Sequence, residues 1–164
     1  MPPAPWWKGT RGEWYLAVQG LLLALIAIGP LLPAGPLGAR WPLALARPAW
    51  LVGLLMMLAG LALGGAGLLG LGRSLSALPH PKDDAEFVEA GAYRLVRHPI
   101  YAGLVLGAAG WALVTASGLT LLLALVLLVF FDIKSRREER WLMAKFPAYA
   151  AYRRRVKKFI PFVY

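Results

Sequence analysis

The chain has no cysteine, two histidines (His80 and His98) and only eight acidic residues among 164. Without cysteine there is no disulfide framework, no thiolate metal site and no cysteine nucleophile. Two imidazoles cannot furnish a histidine-rich metal site, so no metal ligands are assigned. The shortage of acid leaves eighteen Lys and Arg largely unbalanced, a net charge of +10 on a chain that is 59% hydrophobic. Long stretches carry no charge at all, so the charge is crowded into a few segments rather than spread over a soluble surface.

What fills those stretches is Leu, Ala and Gly. Residues 14–33 and 49–72 are each about as long as the ~20 apolar residues a bilayer crossing requires. The first is read as a retained span rather than a signal peptide, because no small-x-small cleavage site follows and more apolar segments come later. From Pro99 to Phe131 the sequence is apolar again, broken at Thr115, Ala116, Ser117 and Gly118. This predicts a helical hairpin, 99–115 and 117–131, with arms short enough to be tilted or to stop at the membrane boundary. The expectation is a single all-α integral membrane domain over 1–164, with about four transmembrane helices, a loop at 73–98 and a helical tail at 132–164.

Charge orients this arrangement. Lys8 and Arg11 precede the first span, Arg73, Lys82, Arg94 and Arg97 lie in the 73–98 loop, and ten more Lys and Arg lie in the tail. Only Arg40 and Arg47 fall in the first loop, so sixteen of eighteen share one face. The positive-inside rule puts that face, with both termini, in the cytoplasm. Trp6, Trp7, Trp14, Tyr15, Trp41 and Trp50 flank the apolar runs as interfacial anchors. Gly60 and Gly64, and Gly103 and Gly107, are spaced by four, which lets two helices approach backbone to backbone. Such faces can pack within one chain or between two, so oligomeric state stays open.

The stretch "SLSALPHPKDDAEFVEAGAYRLVRHP" is rich in turn residues and acids and reads as an ordered surface loop. His98 is biased away from helical dihedrals by Pro99, and Pro99 suits the first turn of the helix that follows. The "HP" pair is thus either a plain helix start or part of an anion-binding N-terminus at the membrane surface. In the tail, Lys134, Glu138 and Leu142 recur every four residues and share a helix face. Asp132 and Lys134 lie near the boundary, where a charge needs water, a partner or a ligand. Glu138 and Glu139 are either intrahelical partners of Lys134 and Arg137 or part of a site. Arg153, Arg154, Arg155, Lys157 and Lys158 are expected to attract anionic lipid, which the flanking spans make a nearer polyanion than any nucleic acid.

Two segments in this order, "AEFVEAGAYRLVRHPIYAGLVLGAAGWAL" and "EERWLMAKFPAYAAYRRRVKKFIP", resemble the isoprenylcysteine carboxyl methyltransferase family and its phospholipid N-methyltransferase relatives. The likeness covers roughly residues 70–164 and rests on Gly91, Tyr93, Arg97, His98, Pro99, Tyr101 and Gly103, then Glu138, Glu139, Leu142 and Phe146. It implies that the cytoplasmic loop and helical tail form a pocket for S-adenosylmethionine. By that likeness Ala85, Glu86, Phe87, Val88, Tyr93, His98, Pro99, Ile100, Tyr101 and Glu138 hold the cofactor, with Glu138 on the ribose. Such residue types suit a sulfonium, an adenine and ribose hydroxyls. The family's substrate-binding Arg, one helical turn before the cofactor-binding Glu, corresponds to Lys134, with Arg136 and Arg137 close by, and which of the three contacts substrate stays open. Lys134, Arg137 and Glu138 are accordingly the expected catalytic residues. Lys lacks the bidentate fork of Arg, so this departure bears on the acceptor more than on the methyl donor. A second departure is "FPAYAAY", where the family more often has Gly and wider spacing.

The resemblance implies methylation of a lipophilic acceptor entering from the bilayer, with carboxyl O-methylation favoured. The rivals are a lipid-amine N-methyltransferase of the same fold, an NADPH-dependent enzyme resembling the sterol reductases, and a non-catalytic membrane protein that binds anionic lipid.

Overall fold

The computed structural model describes residues 12–32, 41, 43–76, 78, 80–81 and 83–164. Helix α1 spans Glu13–Ile28 and ends in a short 3-10 turn at Gly29–Leu31; α2 spans Leu43–Leu71, α3 Pro99–Val114, α4 Gly118–Lys145 and α5 Tyr149–Arg155. Among these residues there is no strand, and one isolated parallel bridge joins Val96 to Lys157. Trp6, Trp7, Lys8, Arg11, Pro33, Arg40 and Lys82 lie outside the described residues.

Three segments have the length and apolarity to cross a membrane: Glu13–Leu31, Leu45–Ser74 and Gly118–Lys145. Helix α3 is apolar but has 16 residues, about 24 Å at 1.5 Å per residue, against a hydrocarbon core of ~30 Å. The four expected spans are thus three long helices and one shorter apolar helix. Leu21, Leu55, Leu61 and Leu69 are each more than half exposed. A bilayer, unlike water, is a matching solvent for such faces.

One boundary differs from the sequence reading. Helix α2 begins at Leu43 and takes in Arg47 and Pro48, so Arg47 belongs to the start of the helix rather than to the first loop. A proline this near the N-terminus removes only one of the helix's hydrogen bonds. Helix α4 runs through Phe131 to Lys145, so the first part of the helical tail emerges directly from the fourth span, as the sequence reading has it. The stretch 132–145 contains no Gly or Pro and is rich in good helix formers, and Phe146 precedes Pro147, where helices commonly end. At its other end the Ser117 hydroxyl accepts the Thr120 N–H at 3.2 Å, an N-cap. The turn before it places Ala116 at φ 49°.

Helices α2 and α3 run antiparallel, backbone against backbone. A Cβ built on Gly60 would lie 2.6 Å from the Gly103 carbonyl oxygen, and one on Gly53 would lie 2.6 Å from that of Gly110. Gly67 meets Pro99 in the same way, at 2.8 Å from its Cγ. The contact recurs every seven residues (53, 60, 67 against 110, 103), the repeat of a left-handed helix pair, and the four-apart glycines share in it: a Cβ on Gly103 would lie 2.7 Å from Gly64 N, and one on Gly60 would lie 2.9 Å from Gly107 N. Gly107 has nothing within 4 Å of its would-be Cβ.

Helix α4 packs on α3 and α1 packs on α4, around a core of Leu22, Ile26, Ala102, Ala108, Ala124, Leu127 and Phe131. Trp14 and Trp50 are about half exposed, at 57% and 47%, as anchors require. Tyr15 instead lies 6.0 Å from Phe130, ring to ring, and belongs to the α1–α4 contact. This layout gathers the start of α1, the end of α2, the 73–98 loop, the start of α3, the polar half of α4 and α5 at one end of the bundle.

Candidate functional site

At that end lies a cavity of about 320 Å³, within the range of small-molecule sites. Lys134, Glu138 and Leu142 of α4 line one wall, Leu68 and Leu71 of α2 another, and the 85–88 loop with Tyr149 and Tyr152 of α5 closes it above. The four-residue recurrence on α4 thus aims one face into the cavity.

Tyr101 organises the inner wall. Its ring stacks parallel to His98 at 5.4 Å and to Phe131 at 4.4 Å, and its hydroxyl donates to Glu138 Oε2 at 2.8 Å. Glu138 is a quarter exposed and has His98 Nδ1 at 3.9 Å. Lys134 is 1% exposed. Its ammonium donates to Gln19 Oε1 at 2.6 Å and sits 5.0 Å from the Tyr101 ring centroid, a cation–π arrangement. A buried cation whose hydrogen-bond partner is neutral still has charge to offer an anion. Gln19 was not anticipated; the available signal was an amide within an otherwise apolar run.

Glu139 points the other way and is 2% exposed. It receives Arg97 Nε at 2.8 Å, Arg153 Nε at 3.1 Å and His98 Nε2 at 3.2 Å. Arg97 also donates to the carbonyls of Arg153 and Val156. The backbone amides of Arg97 and His98 donate to Lys157 and Lys158 carbonyls at 2.8 and 3.1 Å. Arg97 and Glu139 therefore buckle loop, α4 and tail together behind His98. The adjacent acids divide the work, one facing the cavity and one holding its frame, because neighbouring helical residues point about 100° apart.

The roof is tied down separately. Glu86 N–H donates to Ser74 Oγ at 3.0 Å, and Lys145 donates to the Asp83 carbonyl at 2.8 Å. Phe87 packs against Phe146, Tyr149 and Tyr152 at ring separations of 5.7, 6.0 and 5.5 Å. Tyr93 donates to the Gly67 carbonyl at 3.3 Å, and Tyr152 to the Tyr93 carbonyl at 2.6 Å. Burial, reinforced at Tyr93 by the Glu138 charge, pushes the phenols of Tyr93 and Tyr149 well above their ordinary value, so both remain neutral donors. The Tyr149 hydroxyl is buried and has no hydrogen-bond partner among the described residues. Orphaned buried hydroxyls are uncommon, and this residue lines the cavity.

Of the residues singled out in the sequence, Ala85, Glu86, Phe87, Val88, Tyr93, His98, Ile100, Tyr101, Lys134 and Glu138 line the cavity. Pro99 does not; it is buried in the α2–α3 contact beneath Gly67. Arg137 does not either, since it lies one position off the Lys134–Glu138 face. Its guanidinium sits 5.1 Å from the Trp141 ring centroid and 6.0 Å from that of Tyr15. The buckle residue Arg97, the α5 tyrosines and Gln19 were not assigned to the site beforehand.

Fold and cavity together define a multi-pass helical membrane protein with a cavity of small-molecule size at one end of its bundle. The chain belongs to the phospholipid methyltransferase family, which it matches over residues 48–149. Probable protein-S-isoprenylcysteine O-methyltransferases of Oryza sativa, subspecies indica and japonica, are 32% identical to it over 116 residues, 68% of this chain and 61% of theirs. The cobalt-zinc-cadmium resistance protein CzcN of Cupriavidus metallidurans is 39% identical over 75 residues, 45% of this chain and 35% of that protein. The matched region thus spans between about a third and three fifths of these relatives' length.

Proposed function

We propose that the chain is an S-adenosylmethionine-dependent methyltransferase that acts on a lipophilic acceptor at the cytoplasmic membrane face. The observation that carries this reading is the cavity itself, where a carboxylate, stacked aromatic rings and a buried cation converge at the end of the apolar helices. The residues present fit the cofactor. Glu138 can accept from ribose hydroxyls, Phe87 and Tyr93 supply faces for a purine, and the Tyr149 hydroxyl supplies a buried donor with no partner among the described residues. S-adenosylmethionine, when bound, supplies an electrophilic methyl group on a sulfonium.

The chain's part in such a reaction is alignment and exclusion of water, since an in-line displacement needs no covalent intermediate. The Tyr101 hydrogen bond fixes the Glu138 rotamer, and the Arg97–Glu139 buckle fixes His98 and the tail that closes the cavity. Lys134, buried beside neutral Gln19, is suited to hold an acceptor's carboxylate. A carboxylate is already ionised near neutral pH and needs only such a clamp. The names of the rice relatives support carboxyl O-methylation on the same grounds. The family match keeps a lipid amine as the second reading; an amine would first have to lose a proton to Glu138 or His98. An acceptor enters laterally between the helices. The concentration of Lys and Arg at this end supports a cytoplasmic placement of it and of both termini.

Calorimetric titration of detergent-purified protein with S-adenosylhomocysteine, and separately with NADPH, tests the proposal. Saturable binding of S-adenosylhomocysteine alone is expected, followed by methylation of prenylcysteines in preference to phosphatidylethanolamine. Binding of NADPH alone would move the chain to a reductase, and binding of neither would remove the cofactor assignment.

A further inference from the structure

A second cavity, of about 360 Å³, borders Arg97 from the side of the tail. Six cations line it: Arg97, Arg136, Arg153, Arg154, Lys157 and Lys158. Two carboxylates reach them. Asp132 pairs with Lys158 at 2.6 Å and Arg136 at 2.7 Å, and Glu139 pairs with Arg97 at 2.8 Å and Arg153 at 3.1 Å. Among side chains, six cations against two carboxylates leave four positive charges, and Arg154 and Lys157 have no ion-pair partner among the described residues. The positive charge left over after these pairs is self-repulsive, and an anion seated in the concavity would relieve it.

We propose that this cup binds the phosphate of an anionic phospholipid headgroup. The site does not depend on the methyl-transfer reading. Three observations favour a lipid over a free anion. The cup is built on Asp132, the first charged residue after the apolar run of α4, which is the level at which headgroups begin. Beside it the tail turns back on itself, with Val163 N–H donating to the Ile160 carbonyl at 3.2 Å. That turn presents Ile160, Phe162 and Val163 at 51%, 92% and 70% exposure. Phe162 is held at φ 65°, a conformation bulky residues rarely adopt, and its ring stands exposed beside Val163, which lines the cup. Cations that bind phosphate beside apolar side chains that enter acyl chains describe an interfacial lipid contact. Guanidinium forks suit the phosphate oxygens.

The cup also shares backbone with the first cavity, because the Lys157 and Lys158 carbonyls that carry its side chains receive the Arg97 and His98 amides. A bound headgroup would steady the segment that closes the cofactor site.

Native mass spectrometry of the full chain released from detergent, titrated with phosphatidylglycerol, phosphatidylcholine and inorganic phosphate, tests this. Phosphatidylglycerol should bind about tenfold or more tightly than phosphatidylcholine. Each Lys or Arg near an anionic surface contributes roughly fivefold, so R154Q/K157Q should weaken it by about thirtyfold. R154K/K157R should retain the affinity, which separates charge from damage to the fold. R47Q, at the opposite end of α2, should leave it unchanged. Equal binding of the two lipids, an R154Q/K157Q variant with full affinity, or a loss of affinity in R154K/K157R would each overturn the proposal. Displacement of phosphatidylglycerol by equimolar inorganic phosphate would overturn the lipid assignment in favour of a free-anion site.

Discussion

Glu138 and Glu139 are adjacent and chemically identical, and the structure assigns them opposite consequences when the charge is removed. In Glu139→Gln the amide keeps one acceptor but sets its NH2 against cations that the carboxylate had received: Arg97 at 2.8 Å, Arg153 at 3.1 Å and His98 at 3.2 Å. Arg153 is half exposed, at 49%, so its share is small. The Arg97 pair is buried on both sides, 9% and 2% exposed, and breaking a buried pair costs about 3–5 kcal/mol. With one acceptor retained, the lower end, about 3 kcal/mol, is expected. This falls on the docking of the tail, because Arg97 also holds the Arg153 and Val156 carbonyls. A shift of about 3 kcal/mol is roughly two powers of ten in an opening equilibrium. Limited trypsinolysis reads it directly, since the tail offers Arg153, Arg154, Arg155, Lys157 and Lys158. Cleavage there should accelerate by about a hundredfold if proteolysis follows the open population. Glu138→Gln should leave that rate unchanged while weakening S-adenosylhomocysteine by roughly tenfold to a hundredfold, the worth of a charged hydrogen bond. Equal tail cleavage in the two variants, or unaltered cleavage in Glu139→Gln, would refute the division of labour.

Three further outcomes are expected. Gly103→Ala places a Cβ 2.5 Å from the Gly60 carbonyl oxygen, so α2 and α3 must separate at a cost of about 1–3 kcal/mol, whereas Gly107→Ala meets nothing; thermal unfolding in detergent should separate the two variants, and identical curves would count against the seven-residue packing. Tyr149→Phe removes a hydroxyl with no partner among the described residues, so unfolding should be unchanged while S-adenosylhomocysteine binding weakens by roughly twofold to tenfold; a destabilised protein with normal binding would mean the hydroxyl serves the fold. Lys134→Met keeps most of the stem but drops the ammonium, and should raise KM for a prenylcysteine carboxylate by about tenfold or more while cofactor affinity holds; an unchanged KM would exclude Lys134 as the carboxylate clamp.

The sequence by itself determined the membrane character, the helical class, the approximate bounds of α1 and α3, and the face of α4 on which Lys134, Glu138 and Leu142 lie. These depend on hydropathy and on the 3.6-residue period, which are local properties. It also pointed to the 85–88 and 93–101 segments, because a resemblance carried them. Only the tertiary structure decided the rest. Pro99 left the cavity because its partner across the α2–α3 contact is settled by packing, whereas the position of Arg137, one residue off the Lys134–Glu138 face, was already implied by the helical period. Gln19 reached Lys134, and Tyr149 entered the roof, through separations of 115 residues in one case and through the folding back of α5 in the other. The helical period puts Glu138 on the Lys134 face and turns Glu139 about 100° away, but what each acid meets, Tyr101 for Glu138 and Arg97 for Glu139, is decided only once the loop and tail close over α4.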